Sequence, residues 1–363
     1  MELSKNDTKL LKGVGISLML LLHLFARKEI EGLYYSPSLN GNPLVYYVGL
    51  IGDACRPVYL FATGYAFYVM FSSNKKNFIF RNFSRLLKLL VNFWIVFLIF
   101  VPLGFYLGKD TTFTSSFSEF ILNLFLLSNS YNGAWWFLKI YIILVLISPL
   151  IIALIKSENS KVIFLVSGSI YFLSYIQRFR PLFEFHDNSI LATIVETVAL
   201  LGTSQFSFVV GIIFAKELLY SKIHSKVSKV RYKNIYGCLI VLTLFIIHGF
   251  IESAIIGPIN GITIAIVFTL MNKSKVVESI IGFLGKHSTN IWLTHMFFYM
   301  TIFPNLTFAP KIPILIYVWL FTLCIGSSYV INLIYKPITQ LIDTKRKVDK
   351  SLPQVESKVQ GLG

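Results

Sequence analysis

Charged residues are what this sequence is short of. Only 14% of its 363 residues are Asp, Glu, Lys or Arg, where a soluble chain of ordinary composition carries roughly 25%. A chain with so little polar surface cannot cover a water-soluble globule, which excludes a soluble enzyme or binding module. Acidic residues are scarcer still, 17 against 33 Lys and Arg, for a formal charge of +16. Cysteine is almost missing. Cys55, Cys238 and Cys324 lie inside apolar runs without metal-like spacing, so they read as small buried hydrophobes and no metal site is expected. No Pro- or Ser-rich linker divides the chain.

What is abundant is hydrocarbon. Hydrophobic residues make up 55% of the chain, and 33 of them are Phe. Apolar runs of around 20 residues recur along the whole length, the pattern of membrane-crossing helices. The expected fold is an all-α integral membrane bundle of about ten transmembrane helices. They lie near 10–26, 44–71, 86–107, 134–155, 161–177, 190–215, 235–251, 254–271, 280–303 and 312–334. The first run is not followed by a small-residue cleavage site and counts as a span. The segment 117–127 is apolar but too short to cross, so it reads as an interfacial or re-entrant helix. Residues 1–335 form the membrane domain, and 336–363 a polar tail expected to be disordered and cytoplasmic.

In a soluble protein this basic excess would point to nucleic acid. Here it sits in short loops, where it sets orientation, and nucleic acid is not an expected partner. Only Arg27, Lys28, Lys109, Arg178, Arg180 and Lys311 fall in loops assigned outward, and Arg56, Lys139 and Lys286 lie in or beside spans. All other Lys and Arg share one side with both termini, which places the termini in the cytoplasm.

Polar groups inside spans are costly, about 2.5–3.5 kcal/mol for Arg, Lys or Asp on insertion scales, and need a reason. Lys12 and His23 are eleven residues apart in the first span, three helical turns, so they share a face about 16 Å apart. That face carries a cation at the cytoplasmic mouth and a titratable base near the far leaflet. It suits a reagent whose anionic end stays in the cytoplasm while its reactive end enters the membrane. Taken singly, Lys12 also reads as an orientation anchor and His23 as an interhelical hydrogen bond. Asp53 and Arg56, three apart, suit either an ion pair or substrate binding. Glu196 is an acid/base partner or an interface residue. Lys139 can snorkel past Trp135 to Leu138. His295 shares a face with Ser288. His186 and His224 fall in loops, and His248 reads as interfacial. The basic stretch 75–88, with Arg81 and Arg85, is an orientation signal or a phosphate cradle.

Several fragments, in order, resemble the bacterial membrane acyltransferase family 3, multi-pass O-acyltransferases of surface glycans. Residues 11–16, through His23, look like the family's opening motif of a basic residue and glycine with a His eleven positions on. Residues 57–65 are similar to its Val/Phe-rich segment ending in Ser-Gly-Phe/Tyr. Arg81 and Arg85 fall where the family has paired arginines, and residues 136–138 match its Trp-Phe-Leu run. Residues 208–211 resemble a Phe-x-x-Gly stretch, and 284–288 with 291–295 the closing Leu-Gly-x-x-Ser…Tyr-Leu-x-His motif. Three features depart from the pattern. Lys12 stands for Arg, Arg81 and Arg85 are four apart instead of three, and Thr63 replaces Ser. No esterase-like domain is appended, so transfer is expected within the membrane domain or with a separate partner.

The resemblance implies an acyl donor, acetyl-CoA or another acyl-CoA, with its phosphates on Lys12, Arg81 and Arg85. His23 is the implied general base, with Glu196 and His295 as further catalytic candidates and Asp53, Arg56 and Trp136 as substrate contacts. The acceptor is a hydroxyl of an extracytoplasmic glycan or lipid-linked oligosaccharide. The implied setting is the cytoplasmic membrane, with its lipids as partners and no metal. A transporter or flippase of a lipid-linked sugar, using His23, Asp53, Arg56 and Glu196 as a polar path, is the rival reading.

Overall fold

The computed structural model describes residues 2–109, 112–113, 116–183, 185 and 189–351. Helix α1 (Lys5–Phe25) opens on a reciprocal cap: Ser4 Oγ accepts from the Asp7 amide, and the Asp7 carboxylate accepts from the Ser4 amide. That satisfies two amides that have no partner within the helix. A two-residue hairpin, β1 (Ser38–Leu39) and β2 (Asn42–Pro43), follows. Its turn is Asn40-Gly41, both at positive φ, as a two-residue hairpin turn requires. Next come α2 (Leu44–Leu50), a 3-10 turn (Ile51–Ala54), α3 (Cys55–Ser73) and α4 (Lys75–Tyr106).

Helix α5 (Phe117–Leu124) has eight residues, too few to cross, in the segment read as interfacial or re-entrant. The chain continues through α6 (Trp136–Ser157), α7 (Ser160–Phe179), α8 (Ser189–Lys216), α9 (Leu219–Val227), α10 (Lys233–Ile251) and α11 (Gly257–Leu270). Helix α12 (Lys275–Met296) passes into a π-helical turn (Phe297–Thr301), followed by α13 (Pro304–Phe308) and α14 (Pro313–Ser351). Helix α14 thus runs on through 336–351, the first part of the segment expected to be a disordered tail. Residues 352–363 and His186 lie outside the described residues.

Among the described residues, seven helices are long and apolar enough to cross a membrane: α1, α4, α6, α7, α8, α10 and α14. The other three expected spans coincide with α3, α11 and α12. Helix α11 is short, α3 carries the part-buried Arg56, and α12 buries His287, Ser288, Asn290, Thr294 and His295. A helix buried in protein does not need the hydropathy of one facing lipid. Exposed apolar side chains instead cluster on the outer helices, such as Leu150 and Leu154 of α6, Leu165 and Phe172 of α7, and Phe250 of α10. Cys238, expected to be buried, is also exposed on α10.

Two glycine crossings set the interior. A Cβ on Gly13 would strike the Ile281 carbonyl, and one on Gly285 would strike that of Lys9, so α1 and α12 touch backbone to backbone. Gly64 and Gly211 do the same for α3 and α8, against Phe208 and Phe61. Close approach at small residues is the usual way membrane helices gain packing energy. Residues 9–13 lie against 281–285, and ten residues or so farther along both helices His23 meets His295, so α1 and α12 run parallel.

Candidate active site

A cavity of about 1300 Å³ runs through the bundle. Lys12 of α1, Arg81, Arg85 and Lys88 of α4 and Lys286 of α12 line one end. The four-residue spacing of Arg81 and Arg85 keeps both on one face of α4. Arg85 donates to Asn82 Oδ1 at 2.8 Å, and its guanidinium lies 4.6 Å from the centre of the Phe67 ring. Lys88 is held by both carboxylate oxygens of Asp343 at 2.7 Å. Among the described residues lining this end, Asp343 is the one carboxylate, so a net positive charge remains to receive an anion.

Midway, the wall turns neutral and polar. Asn92 donates to Asn290 Oδ1 at 2.6 Å, and Asn290 donates to Ser328 Oγ at 2.8 Å. His23 follows, about 16 Å from Lys12 along α1. Its Nδ1 lies 3.3 Å from the Tyr299 hydroxyl, and its ring centre is 4.9 Å from that of His295. The His295 and Tyr299 rings stack at 5.8 Å. His295 is fully buried, and its Nδ1 lies 2.7 Å from the Trp292 carbonyl. A carbonyl can only accept, so Nδ1 carries the proton, and the buried, unpartnered Nε2 carries a lone pair when the ring is neutral.

The π-turn makes this arrangement possible. The Phe297 amide bonds back to the carbonyls of Thr294 and His295, and the Leu293 carbonyl instead accepts from Asn132 Nδ2 and Trp135 Nε1, both at 3.2 Å. Such widened turns are frequent at functional sites. Tyr299, Asn132 and Trp135 were not legible as site residues in the sequence. Their role depends on a helix irregularity that no spacing rule forecasts.

Beyond His23 the cavity is lined by Asp53, Arg56, Trp136 and Arg178. Asp53 and Arg56 form no ion pair, because Asp53 sits in the 3-10 turn before α3 begins and α-helical spacing does not apply. Asp53 Oδ2 instead meets His248 Nε2 at 3.4 Å, and His248 Nδ1 is 2.7 Å from Asn260 Nδ2. His248 is 1% exposed, so it belongs to the interior and not to an interface with the membrane surface. The guanidiniums of Arg56 and Arg178 lie 5.5 and 5.3 Å from the centre of the Trp136 ring. Two expected site residues lie outside the cavity lining: His295, which packs against His23, and Glu196, which is exposed on α8. The inward face of α8 belongs to Thr203, Ser204 and Ser207.

On the loops, Glu252 accepts from Lys28 Nζ at 3.0 Å and from the Tyr46 hydroxyl at 2.8 Å, fastening the end of α10 to the segment after α1. These bonds hold the Glu252 carboxyl below its ordinary range and raise the Lys28 ammonium.

The sequence pattern that defines the acyltransferase domain of acyltransferase family 3 matches residues 7–333. No curated protein and no solved structure gives a match. Covering nearly the whole helical bundle, the pattern establishes that this multi-pass membrane chain belongs to acyltransferase family 3.

Proposed function

We propose that the chain moves an acyl group, acetyl in the first instance, from cytoplasmic acyl-CoA to a hydroxyl of an extracytoplasmic or lipid-linked glycan. Both termini then face the cytoplasm across ten spans in the cytoplasmic membrane. The observation that carries the reading is the single cavity joining the cation-lined end to His23. Lys12, Arg81 and Arg85 hold the phosphates of CoA, where Arg offers forked, charge-assisted bonds and Lys a point charge. The pantetheine arm passes the Asn92–Asn290 wall and brings the thioester to His23.

With Nδ1–H donating to the Tyr299 oxygen, His23 Nε2 is free to act as general base. It takes the proton of the acceptor hydroxyl as the oxygen attacks the thioester carbonyl. The C–S bond then breaks, and the proton passes from the imidazolium to the CoA thiolate. The products are the O-acyl glycan and free CoA. His295, locked to the Trp292 carbonyl, positions His23 through the ring contact. The test is release of CoA thiol from acetyl-CoA by the purified protein on addition of glycan. Mass spectrometry of surface glycans with and without the gene should show loss of an acyl mass increment. Counterflow of a sugar lipid without thioester cleavage would defeat the proposal.

A further inference from the structure

Arg56 and Arg178 belong to different helices, yet both are held against one indole. Trp136 opens α6, Arg56 lies in the first turn of α3 and Arg178 in the last turn of α7. Two like charges drawn to one ring repel each other. A cation–π contact contributes only about 0.5–2 kcal/mol apiece, and neither guanidinium has a carboxylate at ion-pair distance among the described residues. Arg56 Nη1 is buried on the cavity wall without a hydrogen-bond partner. The carboxylate nearest in sequence, Asp53, is turned toward His248, which is itself fixed by Asn260. Glu196 faces Arg178 electrostatically but lies exposed on α8. The other titratable groups near Arg56 are Cys55, a thiol and no carboxylate, and Tyr171, which gives its hydroxyl to the carbonyls of Ala254 and Ile255.

A buried, unpaired guanidinium is expensive, and charged groups at membrane depth line substrate paths. We propose that this end of the cavity is an anion subsite, in which Arg56 and Arg178 grip a carboxylate or phosphate carried by the acceptor. Forked guanidiniums match both groups in shape and charge. A neutral sugar could accept from Arg56 through a hydroxyl but would leave the two positive charges uncompensated. The inference rests on the acyl-transfer reading and adds to it the chemical class of the acceptor, an acidic glycan or a sugar on a lipid phosphate. It also gives Trp136 a different task from direct substrate contact: its ring supports the two guanidiniums.

The test uses the full-length protein in detergent, with CoA present to fill the opposite end. Binding is measured for a glucuronate-containing tetrasaccharide, for its carboxyl-reduced counterpart and for farnesyl diphosphate. At least one anionic probe should bind about tenfold or more tightly than the reduced sugar, since a charge-assisted hydrogen bond is at stake. A preference for the tetrasaccharide identifies an acidic sugar, and one for the diphosphate a lipid carrier. Arg178→Gln and Arg56→Gln should abolish the preference, whereas Arg180→Gln, on the exposed neighbour outside the cavity, should keep it. Arg178 is itself exposed, so its variant folds even if Arg56→Gln does not. Equal binding of charged and reduced sugars, no binding of either anion, or an unchanged preference in Arg178→Gln overturns the proposal. CoA binding on the same preparation is read separately, so loss of the anion subsite and loss of the acyl-transfer reading give different results.

Discussion

The two halves of the cavity are built on opposite principles. At the Lys12 end the charges are long, partly exposed side chains, and several have no fixed partner. Around His23 the groups are short, buried and tied by hydrogen bonds to backbone or to one another. A flexible cation cluster can collect a charged ligand without specifying its position to a fraction of an ångström. A proton transfer needs that precision, and here a π-turn together with Asn132 and Trp135 supplies it. The contrast predicts that substitutions at the histidines change rate, while those at the cations change affinity.

The largest effect is expected at His23. His23→Ala should insert and melt like the wild type yet lose about 10²–10⁴-fold in turnover. The loss of one interhelical hydrogen bond costs only about 0.6–2 kcal/mol of stability. His23→Gln keeps hydrogen bonding but cannot take a proton near neutrality, so it should not recover activity. Substantial acylation by a well-folded His23→Gln protein would remove His23 as the base and make His295 the candidate.

Next comes Tyr299→Phe, which keeps the stacked ring and removes the hydroxyl at His23 Nδ1. One neutral hydrogen bond corresponds to about a fivefold loss of kcat, with KM for acyl-CoA unchanged. A change confined to KM would place Tyr299 in binding and break the contrast.

At the cation end, Arg85→Ala should weaken acyl-CoA binding about tenfold, the scale of a charge-assisted bond, with kcat nearly unaltered. Arg81→Ala should do less, because Arg81 is the more exposed. Lys12→Arg should preserve or improve affinity by restoring a forked donor. Isothermal titration of CoA into each variant measures this, and unchanged affinity in all the Ala variants would show that the donor docks elsewhere.

The smallest effect concerns the Glu252–Lys28 fastening, exposed and outside the cavity. The Glu252 carboxyl is depressed, so its contribution is fully present above the ordinary carboxylate value of 4.5 and is lost as pH falls through the folded value. Lys28 is raised, so its share holds below 10.5 and is lost as pH rises through its folded value. The melting temperatures of wild type and Glu252→Gln should therefore differ slightly at neutral pH and converge on acidification. A gap that widens in acid would reverse the sign.

Composition and periodicity determined the class of this protein. Apolar runs of about 20 residues satisfy their backbone in lipid as helices, and Lys12 and His23 fall on one face because a helix turns every 3.6 residues. The family resemblance was legible for a similar reason, since its fragments sit at fixed spacings along single helices. Tertiary structure decided what depends on more than one element. Helices α1 and α12 cross closely at Gly13 and Gly285 and run parallel, and only that packing brings His295 to His23. Spacing within the expected second span offered Asp53 to Arg56, but a 3-10 turn and a histidine on α10 took the carboxylate instead. Glu196 looked equivalent to the other polar residues in spans until packing left it on the outer face of α8. Sequence periodicity reports which face of a helix a residue occupies. Which neighbour meets that face is set by the energy of packing one helix against another.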